Sequence, residues 1–232
     1  MPTDFEKDSY HLKNFEDLLY DSVHMLYLAH DVDEDKDSHG YEWTYVRCSM
    51  LNTVLLFECA ANCCIDALSL PGKFADDIDK MPFLSKYEFF LSRIDATAKF
   101  DRGCKETRGA AELKWVRDAY VHPKVKKTTY EKVDEYTWNT EFGETPILKI
   151  RRNPREWGRS SAVRALKCAN DFFNLFFLSW AKLDSNSVCD ILLGSDKVTI
   201  PGQTGYSIDA VGGLSRAVKE WGIDFKFIGK VV

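Results

Sequence analysis

Helical periodicity constrains this chain more than any other feature. Leu12, Phe15, Leu19, Val23 and Leu26 recur at three- and four-residue steps, the spacing of one helix face, and predict an amphipathic helix over 10–30. A second apolar helix is expected over 43–69, through Met50, Val54, Phe57, Ala61, Cys64, Ile65 and Leu68, stopped by Pro71-Gly72. A third, shorter helix covers 83–94. A fourth covers 106–121 and ends before Pro123, because a residue preceding proline disfavours helical geometry. The last runs over 160–183, capped by Ser160 or Ser161 and dense in Phe172, Phe173, Phe176, Phe177 and Trp180. Five such segments bury their faces by packing on one another, so the fold class is mainly α, an up-and-down helical bundle.

Two regions have a different texture. Two β-prone runs, Tyr136–Thr140 and Ile147–Arg152, flank a Gly/Pro turn and predict an inserted hairpin over 134–152. From 185 the long helical pattern lapses. Lys197–Ile200 reads as a strand, Ile208–Trp221 as a short helix and Phe225–Val232 as a strand. The expected organisation is a bundle over 1–184, hairpin included, and a small α/β appendage over 185–232.

Seven cysteines, an odd number, sit mostly among apolar residues with no CxxC pair. They read as reduced thiols that pack as small hydrophobes, which suits a cytoplasmic protein with no metal site. The N-terminal MPTDFEKDSY lacks the apolar stretch of a signal peptide, and Phe172–Trp180 is too short to cross a bilayer, so no membrane association is expected. Asp31, Asp33, Asp35 and Glu42 match four ligand positions of a calcium-binding loop. Lys36, however, stands where the sharp turn needs glycine, which favours an acidic inter-helix loop. Charge is uneven: 1–42 carries twelve acidic and three basic side chains, whereas 149–167 carries seven basic ones, Arg151, Arg152 and Arg155 among them, against Glu156. That basic stretch can bind phosphate or pair with the acidic N-terminal region.

The segment Arg117-Asp118-Ala119-Tyr120-Val121-His122 has the residue types of a phosphate-handling centre. Arginine is always charged and forks onto phosphate oxygens; histidine titrates nearest neutrality and can exchange a proton. Five residues on a regular helix turn roughly 140° apart, so the two side chains converge only where the helix loosens at His122. Glu58 and Asn62, one turn apart amid apolar neighbours, need partners: each other, or a cation on another helix. A structural role for Arg117, paired with Glu58 or Asp118, is the alternative.

Three stretches in order, SMLNTVLLFECAANCCIDAL (49–68), FLSKYEFFL (83–91) and LKWVRDAYVHPK (113–124), resemble the HEPN superfamily of helical bundles. The resemblance implies a metal-independent endoribonuclease with no cofactor, Arg117 and His122 catalytic, and Asp118, Tyr120 and Glu58 in support. Both motifs of a homodimer would line one cleft. A role as a toxin held by an antitoxin, or in phage defence with a partner, would follow. Lys124, Lys126, Lys127, Arg151, Arg152 and Arg155 are the candidates for holding RNA backbone. Two departures stand out. Asp118 occupies a place where the family often has asparagine, and Lys124 occupies one where a subset carries a modifiable tyrosine. The other reading is an inactive HEPN-like module for dimerisation or for binding RNA or protein.

Overall fold

The computed structural model describes residues 12–33, 40–122, 131–132, 134–135, 138–139, 142–193, 197–200, 203–206 and 211–229. It is mainly helical, a helical bundle. Helices α1 (Phe15–Asp31), α2 (Tyr41–Ala67), α4 (Phe83–Ile94), α5 (Lys105–Val121) and α6 (Arg159–Phe173) answer to the five periodic segments. α2 lies at the centre, packed on α1, α4, α5 and α6. Its small residues let α1 approach closely: Ser49 donates its hydroxyl to the Ser22 carbonyl at 2.6 Å, and Ser22 and Thr53 satisfy their own hydroxyls on backbone carbonyls of their helices. Phe57 anchors the core, its ring 5.3 Å from both Phe172 and Phe173 and 5.7 Å from Phe83.

Among the described residues α2, rather than 172–180, is the helix long and apolar enough to cross a bilayer, and 61% of its most apolar window is buried among the other helices.

Several expectations need correction. Between α2 and α4, where no helix was expected, Gly72–Asp79 forms a short helix, α3, which buries Ile78. α6 starts at Arg159 with Gly158, not a serine, at the cap. Its C-terminal part changes pitch into a π-helical segment, Asn174–Trp180, in which Ala181 donates to the Phe176 carbonyl.

The hairpin expected over 134–152 is not formed as such. A two-residue antiparallel pair, β1 (Glu131–Lys132) with β2 (Trp138–Asn139), lies among the described residues, whereas Ile147–Arg152 is not a strand. Its amides have other partners. Glu112 on α5 accepts from the Ile147 and Leu148 N–H groups at 2.9 Å each, and Thr145 takes the Ile150 N–H through its hydroxyl at 3.2 Å. One bridge, Glu144 to Arg151, closes the turn, and Trp157, buried, donates its indole N–H to the Arg151 carbonyl at 2.8 Å.

The segment after 185 holds α7 (Ser185–Leu192), an antiparallel pair of β3 (Lys197–Ile200) and β4 (Gln203–Tyr206), and α8 (Val211–Trp221). No strand forms over 225–229: Lys226–Ile228 is a 3-10 turn entered through Phe225 at φ +47°, and the rest of the expected strand, 230–232, lies outside the described residues. Side chains of α6 and its π-helical extension replace strand pairing here. Asn170 accepts the Phe225 N–H at 2.8 Å and Asn174 the Phe227 N–H at 2.9 Å. Phe227 then packs against Phe15, Phe173 and Phe177, so these residues share the core of the bundle. α8 docks on α1 through Arg216, which stacks 4.5 Å from the Tyr27 ring and binds both Asp31 oxygens at 2.9 and 3.1 Å. Burial pushes the Tyr27 hydroxyl up to about 12, and it donates to the Gly213 carbonyl.

Candidate functional site

α5 buries Thr107, Ala110, Leu113 and Val116 at three-residue steps. That stripe drifts around the helix, so the next residue, Arg117, emerges at the edge facing α2. Its side chain is 15% exposed, and one terminal nitrogen pairs with Glu58. Its Nε lies 3.3 Å from Asp118 Oδ1, but the N–H is not aimed at that oxygen and makes no hydrogen bond among the described residues. Asp118 in turn pairs with Lys114, one turn back. The polar chain Lys114–Asp118–Arg117–Glu58 therefore ties α5 to α2.

One turn along α2, Asn62 continues the cluster. Lys86 on α4, 7% exposed at its side chain, donates to Asn62 Oδ1 at 2.7 Å and to Asp79 Oδ1 at 2.9 Å. Glu58 and Asn62 thus both reach cations on other helices. They also line two open grooves, of about 730 Å³ on the α1 side and about 310 Å³ on the α4 side. Asn62 was expected to need such a partner, whereas Lys86, Lys114 and Asp79 were not singled out by sequence. Lys86 carried a signal all the same: it sits one helical turn from both Phe83 and Phe90, at a position that should be apolar.

The helix ends at His122. Its N–H closes the last turn on the Asp118 carbonyl at 3.0 Å, its backbone leaves helical geometry at φ −120° and ψ 60°, and it is exposed. This is the loosening that convergence with Arg117 requires. Tyr120 points elsewhere, its half-buried ring 5.6 Å from Trp157.

The basic stretch is divided rather than gathered. Arg151 pairs with Glu144 at 3.4 Å and Glu156 at 3.8 Å. Arg159 pairs with Glu42 at 3.1 Å. Arg152 lies over the Trp115 ring at 5.1 Å. Trp115 and Arg117 are two residues apart, roughly 200° around the helix, so Arg152 covers the flank of α5 away from Glu58. Arg155 is exposed. Lys124, Lys126 and Lys127 lie outside the described residues, as does most of the acidic loop; of its candidate calcium ligands, Asp31 binds Arg216 and Glu42 binds Arg159.

No family model matches this chain, and neither a curated protein nor a solved structure does.

Proposed function

We propose that this chain is a HEPN-like bundle acting in the cytoplasm as a metal-independent endoribonuclease, in a toxin or phage-defence role. The observation that carries the reading is at the end of α5. An exposed histidine leaves the helix five residues after an arginine that two carboxylates hold in place.

In the proposed reaction the RNA 2′-hydroxyl attacks the adjacent phosphorus. The O2′–P bond forms, the P–O5′ bond breaks, and a cyclic phosphate and a 5′-hydroxyl result. One imidazole takes the 2′ proton and a second returns a proton to the departing oxygen. One chain supplies one such histidine, which is why the reading includes a symmetric homodimer with His122 from each subunit. Arg117 stabilises charge on the phosphoryl oxygens once phosphate displaces Glu58 or Asp118.

One observation favours the second reading, an inactive binding or dimerisation module: Arg117 already carries two carboxylate partners, so its charge is balanced within the fold. Incubation of the purified chain with total RNA and EDTA, beside His122→Ala, separates the two. Cleavage that survives chelation and vanishes in the variant is expected. Intact RNA, or equal cleavage by the variant, overturns the enzymatic reading.

A further inference from the structure

A separate cavity of about 170 Å³ opens between the start of α5, the 145–151 turn and α6. Its walls are built. The turn is fixed by Glu112, which holds the Ile147 and Leu148 amides. α5 and α6 meet closely beneath it: a Cβ on Gly109 would stand 2.7 Å from the Cys168 sulfur and 3.4 Å from Leu148. Burial pushes the Cys168 thiol up, so the cavity has an uncharged sulfur on one side and Ile147 and Leu148 on another.

The charged lining is of both signs. Lys105, Arg164 and Lys167 border the cavity, and among the described residues none of their side chains makes a hydrogen bond or an ion pair within bonding distance. Two carboxylates, Glu106 and Asp171, border it as well. Lys105 and Lys167 act on Asp171 through space, and among the described residues its one side-chain hydrogen bond is from Asn170 at 3.4 Å. Unpaired cations alone would suit any anion. Carboxylates in the same small space repel an anion unless the ligand also presents a donor. The apolar wall adds a third requirement, and the volume limits the ligand to on the order of ten non-hydrogen atoms, a few water volumes.

We propose that this cavity binds a small zwitterion of amino-acid type. Its carboxylate lies against Arg164 and Lys167, its ammonium against Glu106 and Asp171, and a short branched apolar side chain against Ile147 and Leu148. The site is independent of the ribonuclease reading and stands or falls without it.

Calorimetric titration of the full chain tests it with three probes: leucine, 4-methylpentanoate, which lacks the ammonium, and isoamylamine, which lacks the carboxylate. Leucine should bind saturably in the millimolar range or tighter, and each truncated probe about tenfold more weakly, the loss of one charge-assisted contact. Arg164→Gln/Lys167→Gln should weaken leucine by a similar factor. Methyl NMR of Ile147 and Leu148 in the unmodified chain locates the ligand whatever the variants do. Three results overturn the proposal: no saturable binding of leucine, binding of 4-methylpentanoate as tight as that of leucine, or leucine binding that leaves both methyl signals unmoved.

Discussion

The two ends of α5 carry cations in opposite states. Near its C-terminus Arg117 is mostly buried and its charge is taken up by Glu58 and Asp118, while Lys86 nearby is held by Asn62 and Asp79. At its N-terminus Lys105, with Arg164 and Lys167 from α6, faces a cavity, and among the described residues no carboxylate lies within bonding distance of these cations. The difference teaches that the number of basic residues in a segment says little about the charge it offers a ligand. An arginine braced by carboxylates is oriented but must exchange partners to bind phosphate. A lysine at a cavity rim is available but poorly positioned. Orientation favours catalysis, where misplacement is costly; availability favours binding.

Four perturbations break or sharpen this contrast. The largest effect should come from Glu112→Ala, which removes the carboxylate holding two amides of the 145–151 turn. A loss of about 2 to 3 kcal/mol by urea unfolding is expected from the charge-assisted bonds. Leucine binding should fall with it, because the apolar wall loses its anchor. Next comes Glu58→Ala, which leaves Arg117 with Asp118 as its one carboxylate among the described residues. A buried pair broken on one side costs several kcal/mol, but Glu58 is 36% exposed, so about 2 kcal/mol is the expected loss in the same measurement.

Asp171→Asn should act through pH. Burial raises the Asp171 carboxyl above its usual 3.8, so the fold holds that proton longer than the unfolded chain does. Wild-type stability from this group is therefore full below 3.8 and is lost as pH rises through the raised value. The asparagine variant lacks that loss, and its stability relative to wild type should climb from acid toward neutral pH and then level off. A difference that stays flat across the range would remove the burial argument. The smallest effect should be Arg164→Gln/Lys167→Gln, within about 0.5 kcal/mol of wild type, as expected where no hydrogen bond or close ion pair among the described residues is lost. A marked loss there would mean that these cations are structural after all, and the two ends of α5 alike.

Most of the bundle was legible because its helices bury one face and their apolar residues repeat accordingly. What escaped the sequence was settled by partners far along the chain. Ile147–Ile150 is β-prone by composition, yet its amides are claimed by Glu112 and Thr145, so no strand pairs there. Phe225 and its neighbours read as a strand, yet Asn170 and Asn174 hold their amides from α6 and its extension. α3 escaped because a helix this short buries little, only Ile78 among the residues of Gly72–Asp79.

In the site, the need of Glu58 and Asn62 for partners was readable from their apolar surroundings, and so was the break at His122 from the proline after it. Which cation each residue meets depends on how α2, α4 and α5 cross, and no local pattern encodes that. The separation of Arg152 from Arg117 has the same origin: the chain beyond α5 brings Arg152 onto Trp115, on the flank of α5 away from Glu58.

The most direct test of the central claim is the chemistry of the RNA ends. Fragments made by the purified chain in excess EDTA should carry 2′,3′-cyclic phosphates and 5′-hydroxyls, and His122→Ala should produce none. Fragments ending in 3′-hydroxyls, or cyclic phosphates made equally well by the variant, would contradict it.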